Sequence, residues 1–135
     1  MSRRAEDLAE SAPVLDRDYL DRLGAQLGEE PLAELLADGL VELTDRLDRL
    51  ADHARDHARD EALSLVHDLT SLAGHLGLAR LSLTAAACQK ALRRHASGDH
   101  AALLCPVLAE GEAACRALRA RLGPSRAGED QATGG

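Results

Sequence analysis

Val66-His67-Asp68-Leu69-Thr70-Ser71-Leu72-Ala73-Gly74-His75-Leu76-Gly77 is the stretch from which the rest of the chain can be read. At about 100° per residue around a helical wheel, Ala62, Leu65, Val66, Leu69, Leu72, Ala73 and Leu76 fall on one face. His67 points almost directly away from that face. Leu63, Ser64, Thr70, Ser71 and Gly74 lie around it, one turn to either side, and all are small or moderate in size. The pattern predicts an amphipathic helix from about residue 60 to residue 76, stopped by Gly77. A lone imidazole on its outer side, with low walls, is accessible to something large.

Four more helices are predicted outward from this one. Asp16 is placed as an N-cap, and Leu15, Tyr19, Leu20, Leu23 and Leu27 form the stripe of a short first helix that ends near Gly28. Glu29-Glu30-Pro31 starts the second, with acid at the positive end of the dipole and proline in the first turn. Its stripe is Leu32, Leu36, Leu40, Leu43, Leu47 and Leu50, at spacings of three and four. The tandem Asp-His-Ala-Arg unit at 52–59 has few large apolar residues. It reads as a helix end, a turn and a new start, with Asp56 or Asp60 as the new N-cap. Beyond Gly77, Leu78, Leu81, Ala85, Cys88 and Leu92 mark a fourth helix to about residue 96. Ser97-Gly98-Asp99 is a turn. Ala101, Leu104, Leu108, Gly111, Cys115, Leu118 and Leu122 mark a fifth, which Pro106 should kink or effectively begin.

Composition agrees. The chain has 135 residues, enough for one domain with one real core. Apolar residues make up 45% and aromatic residues 1%, so the core must be built from Leu, Ala and Val. Leu and Ala are strong helix formers. The expected fold is therefore all-α: an antiparallel up-down-up-down four-helix bundle over residues 13–122 with an additional short N-terminal helix. Residues 1–12 are expected to be a flexible tail, and 123–135, rich in Gly, Ser and Ala, a disordered one.

The net charge of −7, with no basic stripe, argues against nucleic acid and against an anionic membrane surface. No apolar run approaches the roughly 18 residues of a membrane span. Met1 to Glu10 is charged and lacks the apolar core of a secretory signal, so the expected location is cytoplasmic. Cys88, Cys105 and Cys115 contain no CxxC pair and read as small buried hydrophobes in a reduced compartment.

Enzyme motifs are missing. The sequence has no G-x-S-x-G, no GxGxxG and no Walker A loop. Inward Glu-x-x-His pairs, needed for a di-iron bundle, do not occur. His53 and His57 are four apart, as zinc ligands can be, but no third ligand is fixed, and a charge-laced helix end accounts for them more simply. His75 sits in a last helical turn, where it complements the dipole. His67 alone combines a rigid element, exposure and small neighbours. Its neutral ring has a free nitrogen able to attack phosphorus.

His67-Asp68-Leu69-Thr70-Ser71, with Gly77 ten residues after the histidine and Leu81 fourteen after, resembles the signature of histidine-containing phosphotransfer (HPt) domains. That pattern is roughly H-x-L-K-G, then a glycine, then a leucine. Val14-Leu15-Asp16 before a short helix and the Leu32 to Leu50 helix are similar to the family's layout, over about residues 13–122. The resemblance implies a two-component phosphorelay intermediate: a carrier, rather than a stand-alone enzyme, that takes a phosphoryl group onto His67 from a response-regulator receiver domain and passes it to another. A hybrid histidine kinase is an implied partner. Mg²⁺ is expected on the receiver, not on this chain, which is expected to be a monomer without cofactor. Thr70 stands where the family usually has lysine, and Ser71 where it has glycine. Gln89 and Arg93, level with His67 across the Gly77 reversal, resemble residues that some members place near the histidine, and Arg93 offers the missing charge. Leu63, expected on the exposed side one turn before His67, fits an apolar docking patch. Thr70, Ser71, Gly74, Gln89, Arg93 and Leu63 are thus the expected phosphate or partner contacts. The alternatives are an HPt-like adaptor that binds a receiver or kinase without taking phosphate, and a structural module that dimerises through its Leu stripe.

Overall fold

The computed structural model describes residues 5–95 and 98–123. It is all-helical, with no strand among the described residues. Six helices follow in order: α1 (Ala5–Ser11), α2 (Arg17–Leu27), α3 (Glu29–Arg55), α4 (Arg59–His75), α5 (Ala79–Arg94) and α6 (His100–Leu122). The expected tail at 123–135 lies outside the described residues from residue 124 onward. Of the tail expected at 1–12, residues 1–4 lie outside the described residues, and residues 5–11 differ from expectation. Ala5–Ser11 is helical, and α1 packs on α5 with Ala9 buried. A seven-residue helix is marginal alone, so its stability comes from that packing.

Neighbouring helices pack α3 on α4, α4 on α5, α5 on α6 and α6 back on α3, while α2 lies against α3. The core between them is aliphatic. Every residue of the predicted α3 stripe is buried, as are Ala62, Leu65, Val66, Leu69, Ala73 and Leu76, then Leu78, Leu81, Ala85, Cys88 and Leu92. On α6 the stripe is broader than expected: Val107 and Ala114 are buried alongside Leu104, Cys115 and Leu118. Leu27 is 47% exposed, because α2 ends where it leaves the core.

The helix ends follow local chemistry. Asp16 accepts from the Tyr19 backbone N–H at 3.1 Å, and Asp99 from that of Ala101 at 3.1 Å, both as N-caps. Gly28 ends α2 and starts α3. The turn from α3 to α4 differs from expectation. Neither Asp56 nor Asp60 is an N-cap. Asp56 is the C-cap of α3, Ala58 precedes α4, and Asp60 lies in its first turn. His57 takes the left-handed conformation at φ 57°, and Ala58 N–H reaches back to the His53 carbonyl at 2.9 Å. This six-to-one closure is normally built with glycine. Pro106 does not begin the last helix, which runs through it from His100. Cys105 is exposed, which corrects its reading as a small buried hydrophobe. Only Cys88 and Cys115 are buried thiols.

Gly39 and Gly111 set how closely the helices approach. A Cβ on Gly39 would stand 2.4 Å from one Leu76 methyl and 2.7 Å from the other, and one on Gly111 2.5 Å from a Leu47 methyl. In each pair a core leucine rests directly on bare backbone.

Candidate functional site

The site helix is locked at its C-terminal end. Leu76 caps α4, Gly77 turns left-handed at φ 74°, and Leu78 N–H donates to the Ala73 carbonyl at 2.9 Å. This is a Schellman closure. The turn is then tied to α2. Asp16 N–H donates to the Gly77 carbonyl at 2.7 Å, and the Tyr19 hydroxyl to the His75 carbonyl at 3.0 Å. At the other end Arg59 spans from α4 to α5. Its guanidinium donates to the Leu92 carbonyl at 2.6 Å and to Asp60 at 3.1 Å. Both ends of α4 are thereby fixed, and with them the register of α4 against α5.

His67 lies between these anchors and faces out, as its wheel position requires. On α5, Gln89 brings its amide Nε2 to 3.0 Å from His67 Nδ1. Which group donates is set by the imidazole tautomer and by the amide's orientation. With the Gln89 amide nitrogen donating, Nδ1 accepts and the proton of a neutral ring sits on the imidazole Nε2; with the amide turned over, Nδ1–H donates to the Gln89 oxygen and the imidazole Nε2 keeps its lone pair. An open depression of about 370 Å³ surrounds the pair, lined by Asp60, Leu63, Ser64, His67, Gln89 and Arg93. Arg93, one turn beyond Gln89, is exposed, and among the described residues no carboxylate forms an ion pair with it.

The structure therefore brings together His67, Gln89, Arg93 and Leu63. It corrects the setting of Leu63, which is half-buried and packs against the core, presenting only an edge to the depression. Thr70, Ser71 and Gly74 do not line it. They continue along α4 toward Gly77. Thr70 is half-buried, and its hydroxyl donates back to the Val66 carbonyl at 3.0 Å. The Thr70 carbonyl in turn accepts from Ser82 Oγ at 2.9 Å. Ser71 and Gly74 are exposed, and the nearest atom to a Cβ on Gly74 would be Ser82 Oγ at 3.7 Å. Asp60 was not singled out from the sequence as a site residue. It stands seven residues before His67, two turns along the same face, and that spacing is the signal that could have found it.

No group of three or more His, Cys, Asp or Glu side chains suited to a metal occurs among the described residues, and no helix there is long and apolar enough to cross a membrane. No protein-family model, curated protein or solved structure matches the chain.

Proposed function

We propose that the chain is a histidine phosphotransfer protein of a two-component phosphorelay. His67 takes a phosphoryl group from the phospho-aspartate of a receiver domain and passes it to another. In this reading α3 to α6 form an antiparallel up-down-up-down four-helix bundle, and the domain works as a cytoplasmic monomer. The observation that carries it is the 3.0 Å contact between Gln89 and His67 Nδ1 on an exposed, rigid helix surface beside Arg93.

The chemistry follows from that contact. The reacting tautomer carries its proton on Nδ1, which needs the Gln89 amide turned over from the orientation in the structure, so that its carbonyl oxygen accepts from Nδ1–H and the ring Nε2 keeps its lone pair. That lone pair attacks phosphorus in line, an N–P bond forms, and the P–O bond to the aspartate breaks as the carboxylate leaves. No proton has to move. Fixing the ring in one orientation supplies the entropic part of the acceleration. Arg93 answers the charge of the transferred group, which the hydroxyl of Thr70 cannot do because it is neutral and already donates to Val66. That occupied hydroxyl, where the family has lysine, favours the second reading, an adaptor that docks to a receiver without taking phosphate.

The test is to incubate the protein with a phosphorylated receiver domain. The carrier reading expects an acid-labile, base-stable label on the wild type and none on His67→Gln. An unlabelled wild type that still binds the receiver establishes the adaptor instead.

A further inference from the structure

A second concavity lies on the other side of α5. We propose that the crevice between α1, α5 and α6 binds a protonated primary amine carrying a compact apolar body. The crevice holds about 320 Å³, which is within the range of small-molecule sites. From α5 come Thr84, Ala87, Cys88 and Ala91, and from α6 come Ala102, Leu103, Pro106 and Ala109. Four of these eight are alanines, and the short side chains leave room between backbones that α1 roofs only in part. Ala9 of α1 is buried, whereas Leu8 beside it is 54% exposed and does not line the space.

The polar groups around this apolar floor select the ligand's charge. Two wall residues carry side-chain donors, and both are spent within the protein. The Thr84 hydroxyl donates to the Arg80 carbonyl at 2.8 Å, and the Cys88 thiol to the Leu103 carbonyl at 3.2 Å. What remains accepts. Glu10 and the half-buried Glu110 complete the lining, and among the described residues neither carboxylate forms an ion pair. Pro106 also leaves the Ala102 carbonyl without its helical donor. An apolar floor ringed by acceptors, two of them anionic, fits an ammonium group on a hydrocarbon stem. An alcohol lacks the charge, and a carboxylate is repelled.

The experiment titrates the full chain with hexylammonium, 1-hexanol and hexanoate and follows backbone amide shifts. Hexylammonium should move the amides of Ala87, Ala91 and Ala102 saturably. It should bind about tenfold more tightly than 1-hexanol, the order expected for one charge-assisted contact. Hexanoate should leave those amides unmoved. Glu110→Gln should bring hexylammonium down to the level of 1-hexanol. Ala91→Leu, with its fold checked from the dispersion of the same spectrum, should close the crevice to both. Equal binding of hexylammonium and 1-hexanol to the wild type, unchanged selectivity in Glu110→Gln, or the absence of saturable shifts in the crevice each overturns the proposal.

Discussion

Replacing Gly39 by alanine tests the packing on which the site helix rests. On helix propensity alone the change should help, by up to about 1 kcal/mol, because glycine in a helix interior carries excess unfolded-state entropy. The structure opposes that gain. The new methyl would stand 2.4 and 2.7 Å from the two Leu76 methyls and 3.1 Å from Leu76 Cγ. Rotating the leucine cannot clear all three atoms, and Leu76 is 1% exposed, so there is no solvent to turn into. Overpacking of this kind costs about 1–3 kcal/mol. With two contacts under 3.0 Å the cost falls in the upper part of that range, about 2–3 kcal/mol, and less a propensity gain of about 1 kcal/mol it leaves a net loss of about 1–2 kcal/mol, or a fall of roughly 4–8 °C in Tm. Thermal and urea unfolding followed by helical circular dichroism measures it. Gly74→Ala, on the neighbouring helix, is the control. Its methyl meets only Ser82 Oγ at an ordinary 3.7 Å, so propensity acts unopposed and stability should rise by up to about 1 kcal/mol. If Gly39→Ala matches or exceeds the wild type, the close approach of α3 to the α4 terminus is wrong.

Arg93→Gln should leave Tm unchanged, because the side chain is exposed and forms no ion pair among the described residues, and should slow phosphoryl transfer to His67 about tenfold, the order of one charged hydrogen bond. Leu50→Ala removes a side chain that is 0% exposed and should cost about 2–5 kcal/mol, read by urea denaturation. A thiol reagent should modify Cys105 at once in the folded protein, and Cys88 and Cys115 only after unfolding; prompt labelling of all three would contradict their burial. Burial pushes the Cys88 thiol up from 9.0 to about 11, so above pH 9 the unfolded chain gives up a proton that the folded chain keeps. That contribution to stability is fully present below pH 9 and is lost as pH rises through about 11. Cys88→Ala should flatten this part of the stability–pH profile.

Much of this fold is legible in the sequence because helical periodicity is a local property. Leu32 to Leu50 and Leu78 to Leu92 recur at spacings that put every stripe residue in the core. Asp16, Gly28, Gly77 and Asp99 act through their own backbone and side chains, so they mark helix ends without reference to the rest of the molecule. Where the reading fell short, the deciding contact was not local. Residues 5–11 carry too little apolar surface to look like an element, and their helix is supported by the packing of α1 on α5. Asp56 and Asp60 have the chemistry of N-caps, but His57 closes the turn in the left-handed conformation and places them elsewhere. Cys105 and Leu63 each sit beside an apolar stripe, where a small rotation of the helix decides how much of the side chain meets water.

By itself the sequence determined that the chain is helical, where most helices stop, which leucines enter the core, and that His67 faces outward. Each of these depends on the turn-by-turn geometry of one segment. The tertiary structure decided what His67 meets. Gln89 reaches Nδ1 at 3.0 Å because Arg59 and the Gly77 turn fix the register of α5 against α4. It also decided that Leu76 rests on Gly39 and Leu47 on Gly111. Interaxial distance and register are properties of pairs of helices, and a residue's own periodicity does not encode its partner.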